Sequence, residues 1–171
     1  MGIFCPRVDF VLRDEPVMTA QNRNDAASSA AGYAGDVPPR ETWDQLVRDS
    51  AAQLVDVRTI AEWNFVGVPN LAPVGRETLF CEWQHFPSAP NPEFVQEVVE
   101  ALKHTAYRPG APLFFLCRSG GRSRAAAIAM TEAGYGPCFN VAEGFEGRLD
   151  PERHRGQKEG WKASGLPWVQ G

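Results

Sequence analysis

Residues 113–124 read Leu-Phe-Phe-Leu-Cys-Arg-Ser-Gly-Gly-Arg-Ser-Arg: an apolar run that stops on a cysteine, then a glycine pair. The run predicts a buried strand over 113–116, and its continuous apolar character suits the centre of a parallel sheet. The glycine pair permits a tight loop, and Ala125, Ala126, Ala127, Ile128 and Ala129 predict a closely packed helix over about 121–133. Gly134 is the expected stop of that helix. Strand, loop and helix in this order put Cys117 at the foot of a cradle of backbone N–H groups, which with the helix N-terminus favours negative charge. Such a cradle should lower the thiol pKa, and Arg118, Arg122 and Arg124 add three positive charges nearby. The pattern is that of a nucleophilic cysteine built to meet an anionic substrate.

The rest of the chain repeats the alternation. Gln53–Val57 and Leu79–Trp83 read as strands, and so does Cys138–Val141. A first helix is expected at Thr42, with Gln45 three residues on in a capping-box pattern and Trp43, Leu46 and Val47 on its apolar face. A second opens at Asn91-Pro92, with Phe94, Val95, Val98, Val99 and Leu102 on one face and Glu93, Glu97, Glu100 and Lys103 outside. Strands separated by helices imply an α/β layer with a mainly parallel sheet. Ligands bind such sheets at the carboxyl ends of the strands, where Cys117 falls. Residues 1–41 are expected to form a flexible extension, since 19–41 are rich in Ala, Ser, Asn, Gly and Pro without apolar period. The folded domain is then expected over 42–171, and Met18 is an alternative start.

A chain of 171 residues can bury a full core. A net charge of −4 and no apolar run of membrane-spanning length argue against nucleic acid and membrane as partners. Residues 1–18 carry Asp9, Asp14 and Glu15 and lack a basic end, so they make a poor secretory signal. Proline at position 6 argues against myristoylation of Gly2. Cytoplasm is the expected location. The four cysteines, at 5, 81, 117 and 138, form no Cys-x2-Cys pair, and no histidines stand at metal spacing, so neither metal nor disulfide framework is expected. Cys81 and Cys138 are expected as small core residues, and Cys5 as an incidental thiol of the tail. His85, His104 and His154 are scattered, with no Cys-His pair visible.

Spacing narrows the reaction. Thiolate phosphatases use Cys-x5-Arg to hold a tetrahedral phosphate, whereas here Ser123 takes that place and the arginine falls one earlier, at Arg122. The six-residue loop from Cys117 to Arg122 should hold one extra sulfur and fit a phosphate poorly. Cys-Arg-Ser-Gly-Gly-Arg-Ser resembles the active-site loop of rhodaneses, sulfurtransferases that carry a persulfide on their cysteine. Asp56-Val57-Arg58 followed by Glu62-Trp63 is similar to that family's first signature, and the likeness runs from about Thr42 to Trp168.

The resemblance implies a three-layer domain with helices on both faces of the sheet. It also implies transfer of sulfane sulfur from thiosulfate, or a similar small anionic donor, through a Cys117 persulfide to cyanide or a thiol, with no cofactor. Arg118, Ser119, Gly120, Gly121, Arg122 and Ser123 would bind the substrate, Arg118 and Arg122 attracting the dianion. Basic residues within the loop favour thiosulfate over mercaptopyruvate. Asp56 and Arg58 would support the site, either by bracing the loop or as an Asp-Arg structural pair. Glu62 and Trp63 either line the pocket or form a helix salt bridge and a core contact. A sulfur-carrier module that docks a partner protein stands as the alternative, and a phosphatase or a redox switch fits less well.

Two stretches depart from the family pattern. Gly67-Val68-Pro69-Asn70-Leu71-Ala72 stands where Gly-His-Ile-Pro-Gly-Ala is usual, and Trp83-Gln84-His85-Phe86-Pro87 supplies aromatics for either pocket or core. From Arg148 to Lys162 five basic residues stand against three acidic, a net +2 in an acidic protein. That segment is either a solvated loop or a basic flap that collects anions or docks an acceptor protein.

Overall fold

The computed structural model describes residues 32–171. Its centre is a fully parallel five-stranded sheet in the order β1-β8-β7-β2-β4. The strands are β1 (Gly35–Val37), β2 (Gln53–Asp56), β4 (Leu79–Phe80), β7 (Leu113–Leu116) and β8 (Cys138–Val141). Four two-residue strands make small antiparallel pairs: β3 (Val68–Pro69) with β9 (Trp168–Val169), and β5 (Gln84–His85) with β6 (Ala89–Pro90). The helices are α1 (Pro39–Arg48), α2 (Ile60–Val66), α3 (Phe94–Leu102) and α4 (Gly121–Glu132).

Period-two alternation along β7 divides the core. Leu113 and Phe115 face one cluster, with Val98 and Leu102 of α3 and Ala126, Ala127 and Met130 of α4. Phe114 and Leu116 face the other, with Leu46 of α1, Phe145, Trp161 and Leu166. All four residues of β7 are fully buried, as a central strand covered on both faces requires. The alanines of α4 leave room for the helix to pack close against β7 and β8.

Several expectations are corrected. The domain starts before residue 42: Gly35–Val37, assigned to the extension, is an edge strand in register with Phe139–Val141. The part of the extension at 1–31, with Cys5 and Met18, lies outside the described residues. Helix α1 starts at Pro39, so Thr42 is buried within the first turns rather than at the cap. Proline at the first helical position brings a preset φ and has no N–H to satisfy, so the helix opens without a side-chain cap. The strand expected over 79–83 is regular only at Leu79–Phe80, although the Cys81 and Trp83 N–H groups still bond to Asp56 and Val57 carbonyls. Helix α3 begins three residues after Asn91, whose side chain instead accepts the Glu93 N–H. None of the helices among the described residues is long and apolar enough to cross a membrane.

Candidate active site

Cys117 follows the last residue of β7 and is 2% exposed. The Gly120 N–H points at its Sγ from 3.2 Å, and Ser123 Oγ lies 3.1 Å away. Gly120 holds φ at +102°, a conformation that glycine adopts without steric cost, and from it the chain enters α4. The outer side of the loop is fixed by a strap over 143–147. Phe145 N–H donates to the Cys117 carbonyl at 2.7 Å, while the Glu146 and Gly147 N–H groups donate to the Arg118 carbonyl. Gly144 lies against this loop so closely that a Cβ would sit 2.4 Å from the Cys117 carbonyl oxygen, and its φ is +66°. The Gly144→Ala substitution is therefore expected to displace the loop and lower the melting temperature by several degrees, which a thermal melt would read.

A chain of hydrogen bonds runs outward from the sulfur. Ser123 Oγ donates to Asn140 Oδ1 at 2.6 Å, and Asn140 Nδ2 donates to Asp36 Oδ1 at 2.8 Å. A carboxylate only accepts, so Asp36 fixes which end of the Asn140 amide faces Ser123. Asp36 also accepts from Tyr33 and pairs with Arg124 at 2.7 Å. Arg124 is thus turned to the sheet edge rather than to the cysteine. Neither Asn140 nor Asp36 was foreseen; the signal available was the position of Asn140 near the carboxyl end of a predicted strand beside β7.

On the other side stands Glu62 of α2. It closes a capping box with Thr59 and receives both Nη groups of Arg122, each at 2.7 Å. Burial raises the Glu62 pKa, but the Arg122 and Thr59 hydrogen bonds outweigh it and hold it down to about 2. The pair's stabilisation is complete above the ordinary glutamate value and is lost progressively as pH falls from there through about 2, while folded Glu62 stays ionised across the working range. Together Thr59, Glu62, Arg118, Arg122, Gln84 and Phe86 line a pocket of about 310 Å3. Arg118 is exposed there and has no ion pair among the described residues. Phe86, at the tip of the β5–β6 hairpin, is 74% exposed, whereas Trp83 packs edge-on against Phe94 in the core.

The remaining expected residues fall as follows. Ser119 is exposed, Gly121 opens α4, and Ser123 is fully buried. Asp56 and Arg58 form a wholly buried pair at 2.6 Å, the structural alternative named above. Arg58 also donates to the Gly67 carbonyl, and its guanidinium lies 4.1 Å from the centre of the Phe145 ring. Its link to the cysteine loop is therefore indirect, through the strap. Trp63 packs edge-on against Phe80. In the 148–162 segment Arg148 pairs with Glu159, Arg155 donates to the Gly147 carbonyl and Lys162 to the Val66 carbonyl. Its Gly156, Trp161 and Lys162 N–H groups donate to strap carbonyls, and its residues are not among those lining the pocket.

Cys81 and Cys138 are buried in the core, as expected. Burial, reinforced by Glu97, pushes the Cys81 thiol far up, and burial pushes Cys138 up to about 11. At pH 8 about one part in a thousand of Cys138 is thiolate. Both are expected to resist iodoacetamide in the folded protein and to label fully after denaturation, as peptide mass would report. No group of three or more potential metal ligands occurs among the described residues.

A family model described as the STR4 middle domain matches residues 35–171. The chain belongs to that family. Among its relatives, an uncharacterized RP600 homolog of Rickettsia rickettsii is 38% identical over 128 residues, covering 75% of this chain and 91% of that one. The rhodanese-like domain-containing protein 4 of Arabidopsis thaliana is 24% identical, over 77% of this chain and 25% of that one. The crystal structure of Rv0390 from M. tuberculosis superposes with a TM-score of 0.74 and 49% identity, covering 81% and 99% of the two chains. This member of the family has a rhodanese-like α/β fold of three layers, and the matched region begins at β1, where the structure also starts the domain.

Proposed function

We propose that this protein is a cytoplasmic sulfurtransferase that moves sulfane sulfur from a small anionic donor, thiosulfate or a similar one, through a persulfide on Cys117. The Cys117 thiolate attacks the outer sulfur of thiosulfate; a new S–S bond forms, and sulfite leaves with the electron pair of the broken one. Cyanide or a thiol then attacks the terminal sulfur of the persulfide and returns Cys117 as thiolate. The loop amide at Gly120 and the hydroxyl of Ser123 are the groups nearest the charged sulfur. The steps balance without any metal or organic cofactor, and an acceptor protein carrying a thiol fits the same last step.

The observation that carries this reading is a buried cysteine sulfur at the foot of a six-residue loop, with that loop's Arg118 and Arg122 lining a pocket. The membership of a rhodanese-like family supports it. The test is peptide mass after incubation with thiosulfate: a gain of one sulfur on the Cys117 peptide, removed by cyanide as thiocyanate. No gain under conditions that load a rhodanese control would overturn the thiosulfate reading.

A further inference from the structure

Three arginines close to Cys117 promise a strongly cationic site from sequence, yet the structure spends two of them. Arg124 is bound to Asp36 at the sheet edge, and Arg122 gives both Nη groups to Glu62. Arg118 is left as the one cation of the loop without an ion pair among the described residues. Glu62 and Arg118 both line the pocket, with the Glu62 and Arg122 side chains each 19% exposed. A donor in this pocket therefore meets one net positive charge.

We infer that Glu62 sets the charge selectivity for the sulfur donor: by cancelling one of the two arginine charges it weakens the pocket's preference for dianions, so that sulfane donors with a single negative charge, such as thiosulfonates, compete with them. The donor class rests on the persulfide reading; the electrostatic assignment does not. Transfer from a thiosulfonate follows the same balance: the thiolate attacks the outer sulfur, the S–SO2 bond breaks, and a sulfinate leaves with its electron pair. At the separations of a pocket wall from its ligand and a dielectric between protein and water, one carboxylate disfavours each added unit of negative charge by roughly tenfold. Because Glu62 keeps its charge to about pH 2, acid titration does not relieve this bias in the working range, and substitution is the way to remove it.

The experiment compares alkylation of Cys117 by iodoacetate, an anion, and by the neutral iodoacetamide. In both, the same sulfur displaces iodide from the reagent's carbon, so the ratio of their rates cancels any change in thiolate fraction and reads local charge. Glu62→Gln is expected to raise the iodoacetate-to-iodoacetamide ratio about tenfold, and Arg118→Gln to lower it about tenfold. The same Glu62→Gln protein should shift selectivity between thiosulfate and methanethiosulfonate about tenfold toward thiosulfate, read as sulfur loaded on Cys117. A ratio within twofold of wild type in the folded Glu62→Gln protein overturns the assignment. Should that variant not fold, an unchanged ratio in Arg118→Gln does so. Shifted alkylation ratios with no sulfur loaded from either donor would leave the charge assignment standing and remove the persulfide reading beneath it.

Discussion

The Cys117→Ser protein is expected to lose sulfur transfer by roughly 10³-fold or more while melting within a couple of degrees of wild type. Serine differs from cysteine by one atom, and its hydroxyl can keep the Gly120 N–H and Ser123 contacts that now surround the sulfur. What it cannot do is form a persulfide, and an alkoxide is inaccessible at neutral pH. The measurement is thiocyanate formation beside intact mass and a thermal melt. A variant that still gained one sulfur would move the chemistry to another cysteine. Cys81 and Cys138 are poor candidates because burial holds both as thiols. Loss of activity with a large fall in melting temperature would instead make Cys117 a packing residue, and the proposed role would fail.

The parts of this site that were legible in sequence are those whose residues are neighbours in the chain. The Leu113–Leu116 strand, the loop from Cys117 to Ser123 and helix α4 lie within twenty residues, and local pattern alone specifies them. Cys138–Val141 was legible as the strand that completes the alternation of strands and helices. What stayed hidden depends on partners far apart in sequence. Arg122 reads as a free cation until Glu62, sixty positions earlier, is brought against it by the adjacency of β2 and β7. Asn140 becomes visible only through the parallel pairing of β8 with β7, and Asp36 only through β1, a three-residue edge strand with no periodic signal. The Thr42 cap failed for a local reason, since two prolines start the helix earlier. The true capping box, Thr59 with Glu62, was present in sequence but lay inside a stretch read for its family likeness.

Breaking the Asp56–Arg58 pair from one side is expected to be the most destabilising single change outside the cysteine loop. Both side chains are fully buried, and Asp56 accepts from the Arg58 guanidinium and from the Arg58 backbone N–H as well. Asp56→Ala removes the carboxylate and leaves a guanidinium, which cannot shed its proton, among Phe145 and the Gly67 carbonyl. Stranding one partner of a buried pair costs about 3–5 kcal/mol, which in a domain of this size lowers the melting temperature by roughly 10 °C. The double substitution Asp56→Leu with Arg58→Met removes both charges and should recover much of that loss, because desolvation of the pair is no longer required. Sulfur loading should fall in the single variant even below its melting temperature, since Arg58 lies on Phe145 and Phe145 N–H anchors the Cys117 carbonyl. Equal stability of the single and double variants would mean that the pair acts through shape rather than charge. Full sulfur loading in Asp56→Ala would separate the pair from the loop, and the strap would then hold Cys117 without help from Arg58.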